Sequence, residues 1–261
     1  MRNGLRVFGS VRKAPDAARL SRELGSAFVP LLFDITDEVA VRQAAAQVKD
    51  ALGGEPLFGL VNNAGIAVPG PLLHLAIEEI RHQLEVNVIG QLIATQAFAP
   101  LLAADKTKAD RPGRIVMISS VGGRIATPFM GPYNASKFAI EALADSLRRE
   151  LLPTGIDVIV VAPGAVVTAI WDKAESVDVS RYDNTPYAAA LRNLKRTAIE
   201  DGRKGLSEQD LGNAIHRALT VARPKARYVV TRDKLQYLIG SNLPKRTLDR
   251  LIANRLGLSP P

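Results

Sequence analysis

The sequence contains no cysteine, few aromatic residues and no long hydrophobic segment. Without cysteine the chain has neither a disulfide framework nor a thiolate site, which is consistent with a reducing compartment. No apolar run reaches the roughly 18 residues of a membrane-spanning helix, and the first residues, Met-Arg-Asn-Gly, lack the apolar core of a signal peptide. We therefore expect a soluble cytoplasmic protein. Its 261 residues, 47% of them hydrophobic, are sufficient for one large core in a single domain, residues 1–261.

The sequence also lacks the features of a metal site and of a nucleic-acid-binding surface. His74, His82 and His216 do not have the spacing of metal ligands, and no carboxylate cluster accompanies them. The net charge of +8 is concentrated at the two ends: residues 1–22 carry six Lys/Arg against one Asp, and residues 223–261 carry nine against two acidic residues. Neither end interleaves this charge with aromatic residues on one groove-facing element, so we expect no nucleic-acid partner. An anionic cofactor or a membrane surface explains the charge more simply.

Apolar strands and amphipathic helices alternate along the chain. Residues 5–11 and 27–33 predict the first two strands, and Asp37 begins a helix that continues to about Leu52. The same alternation continues to the last predicted strand, residues 227–231. This pattern predicts an α/β fold, with a parallel sheet covered by helices on both faces in three layers.

Tyr133 and Lys137 open a segment with helical periodicity. Residues four apart lie on the same face of a helix, so the ammonium can lie close to the phenol. A free phenol has a pKa near ~10, and a neighbouring cation favours the phenolate and lowers that pKa. Tyr133 would then be usable as a proton donor and acceptor at neutral pH. Taken alone, the spacing is more often that of a surface tyrosine beside a solvated lysine.

Further polar residues lie at predicted strand ends. Ser120 ends the apolar run 114–120, where its hydroxyl would face the crevice at the carboxyl edge of an open sheet. Asn62-Asn63-Ala64-Gly65 follows the strand-like residues 57–61. Asn87 lies among apolar residues in a predicted helix from about Glu78 to Leu102, and Pro163-Gly164 follows another strand. In this order, with Tyr-x-x-x-Lys, the motifs resemble the short-chain dehydrogenase/reductase family, nearest to its retinol and hydroxysteroid dehydrogenase-like bacterial branch. The resemblance covers about residues 5 to 232.

The resemblance implies a Rossmann-type doubly wound sheet and a hydride-transfer enzyme that interconverts a hydrophobic alcohol and its ketone or aldehyde. Ser120 would hydrogen-bond the carbonyl oxygen and Tyr133 would donate the proton. Lys137 would lower the pKa of Tyr133 and bind the nicotinamide ribose, while Asn87 would hold a water in the proton relay. A sugar-nucleotide epimerase or dehydratase shares Tyr-x-x-x-Lys, but the carboxyl half has no room for a separate sugar-nucleotide domain.

The cofactor residues are likewise implied by the resemblance. In the family, an acidic residue after the second strand binds the ribose hydroxyls of NAD, and an arginine there accommodates the 2′-phosphate of NADP. This chain has Arg12-Lys13 at that position, so NADP is favoured over NAD. The alternatives are solvated turn charges at these positions and a helix-entry role for Asp34. The expected cofactor-binding set is Arg12, Asp34, Ile35, Asn63, Ala64, Gly65, Tyr133, Lys137, Pro163, Gly164, Val166 and Thr168.

One family feature is not found. A Gly-rich turn such as Thr-Gly-x-x-x-Gly-x-Gly, which lets the backbone approach a pyrophosphate, does not occur in the sequence. We therefore expect the first strand, turn and helix to be missing from the chain. In the family's strand order, 3-2-1-4-5-6-7, that strand is central, and each buried unpaired backbone group would cost about 1 to 3 kcal/mol.

Three arrangements would resolve the gap left by the missing strand. The gene product could be longer at its amino end, which we favour. Alternatively, the neighbouring strands could close up, or a partner or a rearranged segment could fill the position of the missing strand. The gap also leaves an alternative function open, a truncated, non-catalytic member of the family that cannot bind a dinucleotide.

The last third of the chain gives the least functional information. Residues 168–206 correspond to the family's substrate lid, and Phe129, Met130 and Trp171 suggest an apolar pocket, although each is equally typical of a core. Residues 233–261 form a basic tail with a helix over about 244–256. This helix either docks on the core or on a neighbouring subunit, or contacts a membrane peripherally. The family makes a homodimer or homotetramer the expected assembly.

Overall fold

A computed structural model describes residues 4–103, 112–168 and 170–258, without the side chains of Ile170 and Lys173. Six strands lie in this part of the chain: β1 (Val7–Val11), β2 (Phe28–Leu32), β3 (Gly59–Asn62), β4 (Arg114–Ile118), β5 (Val158–Pro163) and β6 (Arg227–Val230). The helices are α1 (Ala14–Leu24), α2 (Glu38–Leu52), α3 (Ile77–Leu84), α4 (Gly90–Leu102), α5 (Gly131–Glu150), α6 (Ile170–Glu175), α7 (Ala188–Arg203), α8 (Glu208–Thr220), α9 (Lys234–Asn242) and α10 (Lys245–Leu256).

Every strand pairing is parallel, as the alternation predicted. The strands form two sheets, one of order β1-β2 and one of order β3-β4-β5-β6. Within the described residues the two sheets are not hydrogen-bonded to each other, so the arrangement in which the strands close up is not observed.

Helices cover both faces of the larger sheet. Alternate residues of β4 and β5 point to opposite sides, because successive side chains of a strand alternate between its faces. One set packs against α5, the other against α8. The doubly wound, three-layer α/β/α fold predicted from the sequence is therefore confirmed. The buried residues of these two clusters are Leu102, Ile115, Met117, Ile140, Ala144, Ile156, Val158, Val160 and Ala162 on one side, and Val116, Ile118, Ile159, Val161 and Ala218 on the other.

A third cluster connects the two sheets. Leu31 and Phe33 from the end of β2 pack with Val41 and Val48 of α2, and this group continues to Phe98 of α4. Side-chain packing between α2 and α4 thus holds the small sheet against the large one.

The segment expected to be one helix over about 78–102 is interrupted. α3 ends at Leu84, a π-helical turn spans Glu85–Ile89, and α4 begins at Gly90. π-helical turns insert an extra residue into a helix and are frequent at functional sites. Here the turn contains Asn87.

The carboxyl-terminal helix docks on the protein, one of the two predicted arrangements. Leu256 of α10 is buried, and Arg255 forms an ion pair with Asp201 of α7 at 3.4 Å. The sequence did not predict α9, which precedes it. Of the helices in the described ranges, none has the length and apolar character needed to cross a membrane.

Candidate active site

Ser120 lies at the carboxyl edge of the larger sheet, two residues after β4 ends. Its Oγ accepts a hydrogen bond from the backbone N–H of Gly122 at 3.0 Å, which stabilises the short 3₁₀ turn Val121–Gly123. The hydroxyl also lies 3.4 Å from the carbonyl oxygen of Pro163, at the end of the neighbouring strand β5. Backbone groups at the carboxyl ends of β4 and β5 therefore fix the position of this hydroxyl.

α5 brings Tyr133 and Lys137 to the same place. The Lys137 side chain is buried, and its Nζ donates a 2.8 Å hydrogen bond to the carbonyl oxygen of Ile118 at the end of β4. The same Nζ lies 5.7 Å from the centre of the Tyr133 ring, and the Tyr133 phenol is hydrogen-bonded with Ser120. Three of the four predicted catalytic side chains thus converge on one point.

The electrostatics of this cluster differ from the prediction. Burial raises the pKa of the Tyr133 phenol, and its hydrogen bond with Ser120 acts in the opposite direction without reversing the shift. Burial also lowers the pKa of Lys137 to about 8. On balance the pKa of the Tyr133 phenol therefore lies above its usual value, because burial disfavours the phenolate. The lowering of this pKa by Lys137 stays a prediction.

The fourth predicted residue, Asn87, belongs to a row of three fully buried amides, Gln83, Asn87 and Gln91. We call this row the amide ladder. Each amide hydrogen-bonds the backbone of residues 64–68, the extended segment that follows β3. The bonds run from Val68 N to Gln83 Oε1 (2.7 Å), Gln83 Nε2 to Ile66 O (2.8 Å), Ile66 N to Asn87 Oδ1 (2.8 Å), Asn87 Nδ2 to Ile66 O (3.0 Å) and Gln91 Nε2 to Ala64 O (2.7 Å).

The amide ladder is connected to Tyr133 through Ser136. Asn87 Nδ2 donates to Ser136 Oγ at 3.0 Å, and that hydroxyl donates to the carbonyl oxygen of Tyr133 at 2.7 Å. Both N–H groups of Asn87 are thus used inside the protein, and its role in holding a water stays a prediction. Sequence reasoning missed Gln83, Gln91 and Ser136. The spacing of four between three amides in an otherwise apolar segment was the available signal.

The predicted adenosine end lies at the carboxyl edge of the small sheet. Asp34 Oδ1 accepts hydrogen bonds from the backbone N–H of Thr36 at 3.0 Å and from its hydroxyl at 2.8 Å. The Thr36 backbone bond is the main cause of the lowered pKa of Asp34, and Arg12 contributes. The Arg12 guanidinium is 67% exposed and lies 3.8 Å from Asp34 Oδ2, so it remains accessible to an anion. Asp37, not Asp34, caps α2.

The other predicted cofactor residues lie along the carboxyl edges of β3 and β5. Asn63 is exposed, and a Cβ at Gly65 would come within 3.3 Å of Asn87 Oδ1, so glycine permits the close approach of the amide ladder. Gly164 N donates to Val230 O at 2.8 Å. Val166 forms a bridge with Leu206, directly before Thr168. The side chain of Ile35 packs against Gly90.

These are the positions that the family resemblance assigns to the two ends of a dinucleotide. Exposed Arg12 and the Asp34 carboxylate stand at one end, and Ser120, Tyr133 and Lys137 at the other. For the pyrophosphate between them the sequence offers no Gly-rich turn.

Two of the aromatic residues expected near a substrate pocket pack against other residues of the protein. The Trp171 indole donates from Nε1 to the carbonyl oxygen of Val166 at 2.7 Å and packs against Gly202 of α7. Phe129 is buried in a cluster with Tyr182 and Leu191. The structure thus favours the core interpretation for Phe129 and Trp171.

The comparisons with known proteins agree with this geometry. The model of the short chain dehydrogenase family matches residues 1–178. An NADPH-dependent 3-dehydrocapnine reductase of Ornithobacterium rhinotracheale is 40% identical over 249 residues, which are 95% of this chain and 87% of that protein. Retinol dehydrogenase 16 of Mus musculus is 32% identical over 266 residues, 96% of this chain and 81% of that protein.

A solved structure supports the fold. A short-chain dehydrogenase/reductase from Burkholderia phymatum, in complex with NAD, superposes with a TM-score of 0.76 at 22% identity and covers 95% of this chain and 86% of its own.

The prediction that the first strand, turn and helix are missing is not borne out, because the family model matches from residue 1.

Proposed function

The chain belongs to the short-chain dehydrogenase family and is an oxidoreductase, and on that premise we propose that it is an NADP-dependent enzyme that reduces a hydrophobic ketone or aldehyde to the alcohol. The observation that carries this proposal is the convergence of Ser120, Tyr133 and Lys137 at the carboxyl edge of the sheet. The reverse oxidation uses the same groups.

Each of the three side chains has a role that its position supports. The Ser120 hydroxyl, held by the Gly122 N–H, hydrogen-bonds the substrate carbonyl oxygen. Tyr133 donates the proton to that oxygen. Lys137, fixed by the carbonyl of Ile118, places a positive charge beside the phenol and would bind the nicotinamide ribose.

Burial raises the pKa of the Tyr133 phenol, so this group holds its proton before the reaction. A general acid that starts protonated suits the conversion of a carbonyl to an alcohol. The name of the Ornithobacterium relative, an NADPH-dependent reductase, supports the same direction.

A reduced nicotinamide cofactor supplies the hydride when bound. Arg12, exposed and only loosely paired with Asp34, would bind a 2′-phosphate of NADP. Asn63 would contact the cofactor, and Thr168 would hydrogen-bond its nicotinamide carboxamide. Residues 168–206 form the substrate lid in this proposal, within a single domain.

Two relatives support a hydrophobic substrate. Retinol dehydrogenases 16 and 5 of Mus musculus are 32% and 33% identical to this chain, and retinol is an apolar alcohol. We extend the proposal to a homodimer or homotetramer, the assembly implied by the family resemblance.

The first experiment is a fluorescence titration of the protein with NADPH and then with NADH. We expect NADPH to bind more tightly, and Tyr133→Phe to retain this binding and lose turnover of a panel of apolar ketones. Failure to bind either cofactor would support the alternative, a non-catalytic member of the family. Loss of cofactor affinity in Tyr133→Phe would contradict the role of this residue as a proton donor alone.

A further inference from the structure

One face of α9 exposes three large apolar side chains to solvent. Leu235, Leu238 and Ile239 are 72%, 56% and 54% exposed. Residues three and four apart share one helix face, so these side chains form a continuous strip, the α9 stripe. The opposite face of the helix holds it on the protein: Tyr237 is buried, and Gly240 packs against Ile125.

α10 uses its apolar residues differently. Leu248 and Ile252 are half-buried and Leu256 is buried, because this helix docks on α7. The membrane-contacting surface expected on α10 is therefore not available there. The solvent-exposed apolar face of the tail lies on α9. Leu251 of α10 is also 55% exposed.

Several cations lie in the same carboxyl-terminal segment as the α9 stripe. Lys234 begins α9, and Lys245, Arg246 and Arg250 lie on the exposed side of α10. Among the residues that the structure describes, Lys245, Arg246 and Arg250 form no ion pair. Residues 223–261 contain nine Lys/Arg and two acidic residues. Arg227 and Arg255 pair with Glu141 and Asp201, and the seven other cations still outnumber the two acidic residues. Exposed apolar side chains and an excess of positive charge in one segment match a surface with anionic head groups above an apolar interior.

The helix that carries the stripe packs on a loop of the candidate active site. Ile125, which contacts α9, belongs to the loop that leads from Ser120 to Tyr133. At the far end of that loop, Gly131 packs against Leu72, and Leu72 and Leu73 are 58% and 82% exposed. Two exposed apolar groups therefore flank the same loop.

We propose that the α9 stripe, with Lys245, Arg246 and Arg250, docks this protein on an anionic lipid surface and turns the Ser120–Tyr133 loop toward that surface. Leu235, Leu238 and Ile239 enter the boundary between head groups and acyl chains, and the three cations contact the head groups. A hydrophobic compound dissolved in the lipid then reaches the protein on its active-site side. The docking is independent of the proposed enzymatic reaction.

The test is cosedimentation of the full chain with vesicles, one set of phosphatidylcholine and one containing phosphatidylglycerol. We expect binding to the anionic vesicles that weakens in high salt, because screening reduces the attraction of surface charges. Replacing the stripe (Leu235→Ser, Leu238→Ser, Ile239→Ser) is expected to reduce the partition coefficient by at least about tenfold. A charge variant (Lys245→Gln, Arg246→Gln, Arg250→Gln) is expected to lose the preference for anionic vesicles.

The matched control replaces exposed apolar residues elsewhere, Val39→Ser and Leu152→Ser, which are 66% and 73% exposed. This control is expected to bind vesicles like the wild type. Because all these positions are exposed, near-ultraviolet circular dichroism and Tm should be unchanged. Equal binding by the stripe variant and the wild type, or no binding to anionic vesicles at low salt, would overturn the proposal. So would analytical ultracentrifugation that shows a dimer which the stripe variant dissociates, since a second copy would then occupy the stripe.

Discussion

The amide ladder provides a prediction in which two similar substitutions have different outcomes. Gln83 uses both ends of its amide, accepting from Val68 N and donating to Ile66 O. Gln91 donates to Ala64 O, whereas its buried Oε1 has no hydrogen-bond partner within the described residues. Leucine has a similar shape to glutamine and cannot hydrogen-bond. Gln83→Leu therefore removes two hydrogen bonds, whereas Gln91→Leu removes one hydrogen bond together with a buried oxygen that had no partner.

The expected free energies follow from these partners. Gln83→Leu leaves the Val68 N–H without its acceptor, at a cost of about 1 to 3 kcal/mol, while Ile66 O keeps its bond from Asn87. Gln91→Leu leaves Ala64 O without its donor but also removes a buried acceptor that was already unsatisfied. The two effects are of similar size and opposite sign, so we expect a change within about 1 kcal/mol.

Urea unfolding measures both values, with equal m-values as the sign that only stability has changed. Wild-type protein and both variants are compared under the same conditions. The reasoning is refuted if Gln91→Leu destabilises the protein as much as Gln83→Leu or more. A loss of turnover in Gln83→Leu with unchanged KM for the ketone would further show that residues 64–68 position the reacting groups.

The remaining predictions concern charge and packing. Burial lowers the pKa of Lys137 from 10.5 to about 8 on folding, so between these pH values the unfolded chain binds more protons than the folded protein. The free energy of unfolding should therefore rise with pH from about 8 to 10. Urea unfolding of Lys137→Met should no longer show this rise. Gly202→Ala improves helix propensity by roughly 1 kcal/mol, yet its Cβ would lie 2.2 Å from the Trp171 ring, so we expect a lower Tm and altered fluorescence of the single tryptophan. Stabilisation by this change would contradict the packing of α6 on α7. Arg12→Ala should weaken NADPH binding about tenfold and leave NADH binding unchanged; equal losses for both cofactors would remove Arg12 from the phosphate site.

Local sequence pattern was sufficient for the parts of the site that depend on spacing. Helical periodicity alone places Tyr133 and Lys137 on one helix face. Ser120 follows a short run of apolar residues, which indicated a buried strand. The parallel α/β architecture followed from alternation in the same way.

The rest depends on contacts between distant segments. The partners of Asn87 lie 21 and 49 residues away, at Ile66 and Ser136, and no local pattern indicates them. The direction of the Tyr133 shift depends on how deeply the phenol is buried, which is a property of the folded protein. The π-helical turn at Glu85–Ile89 allows buried amides to meet residues 64–68, and helical periodicity alone gave one continuous helix.

The separation of the strands into two sheets has a consequence for local opening. β4 and β5 are completely buried, whereas Val7 and Ser10 of β1 are exposed and the small sheet is held by side-chain packing through α2 and α4. Backbone amides of β1 and β2 should therefore exchange with deuterium well before those of β4 and β5. Arg12 and Asp34 stand on the part that opens first. A ligand that bridges both parts would close that route, and slower exchange in β1 would then report binding even where no reaction occurs.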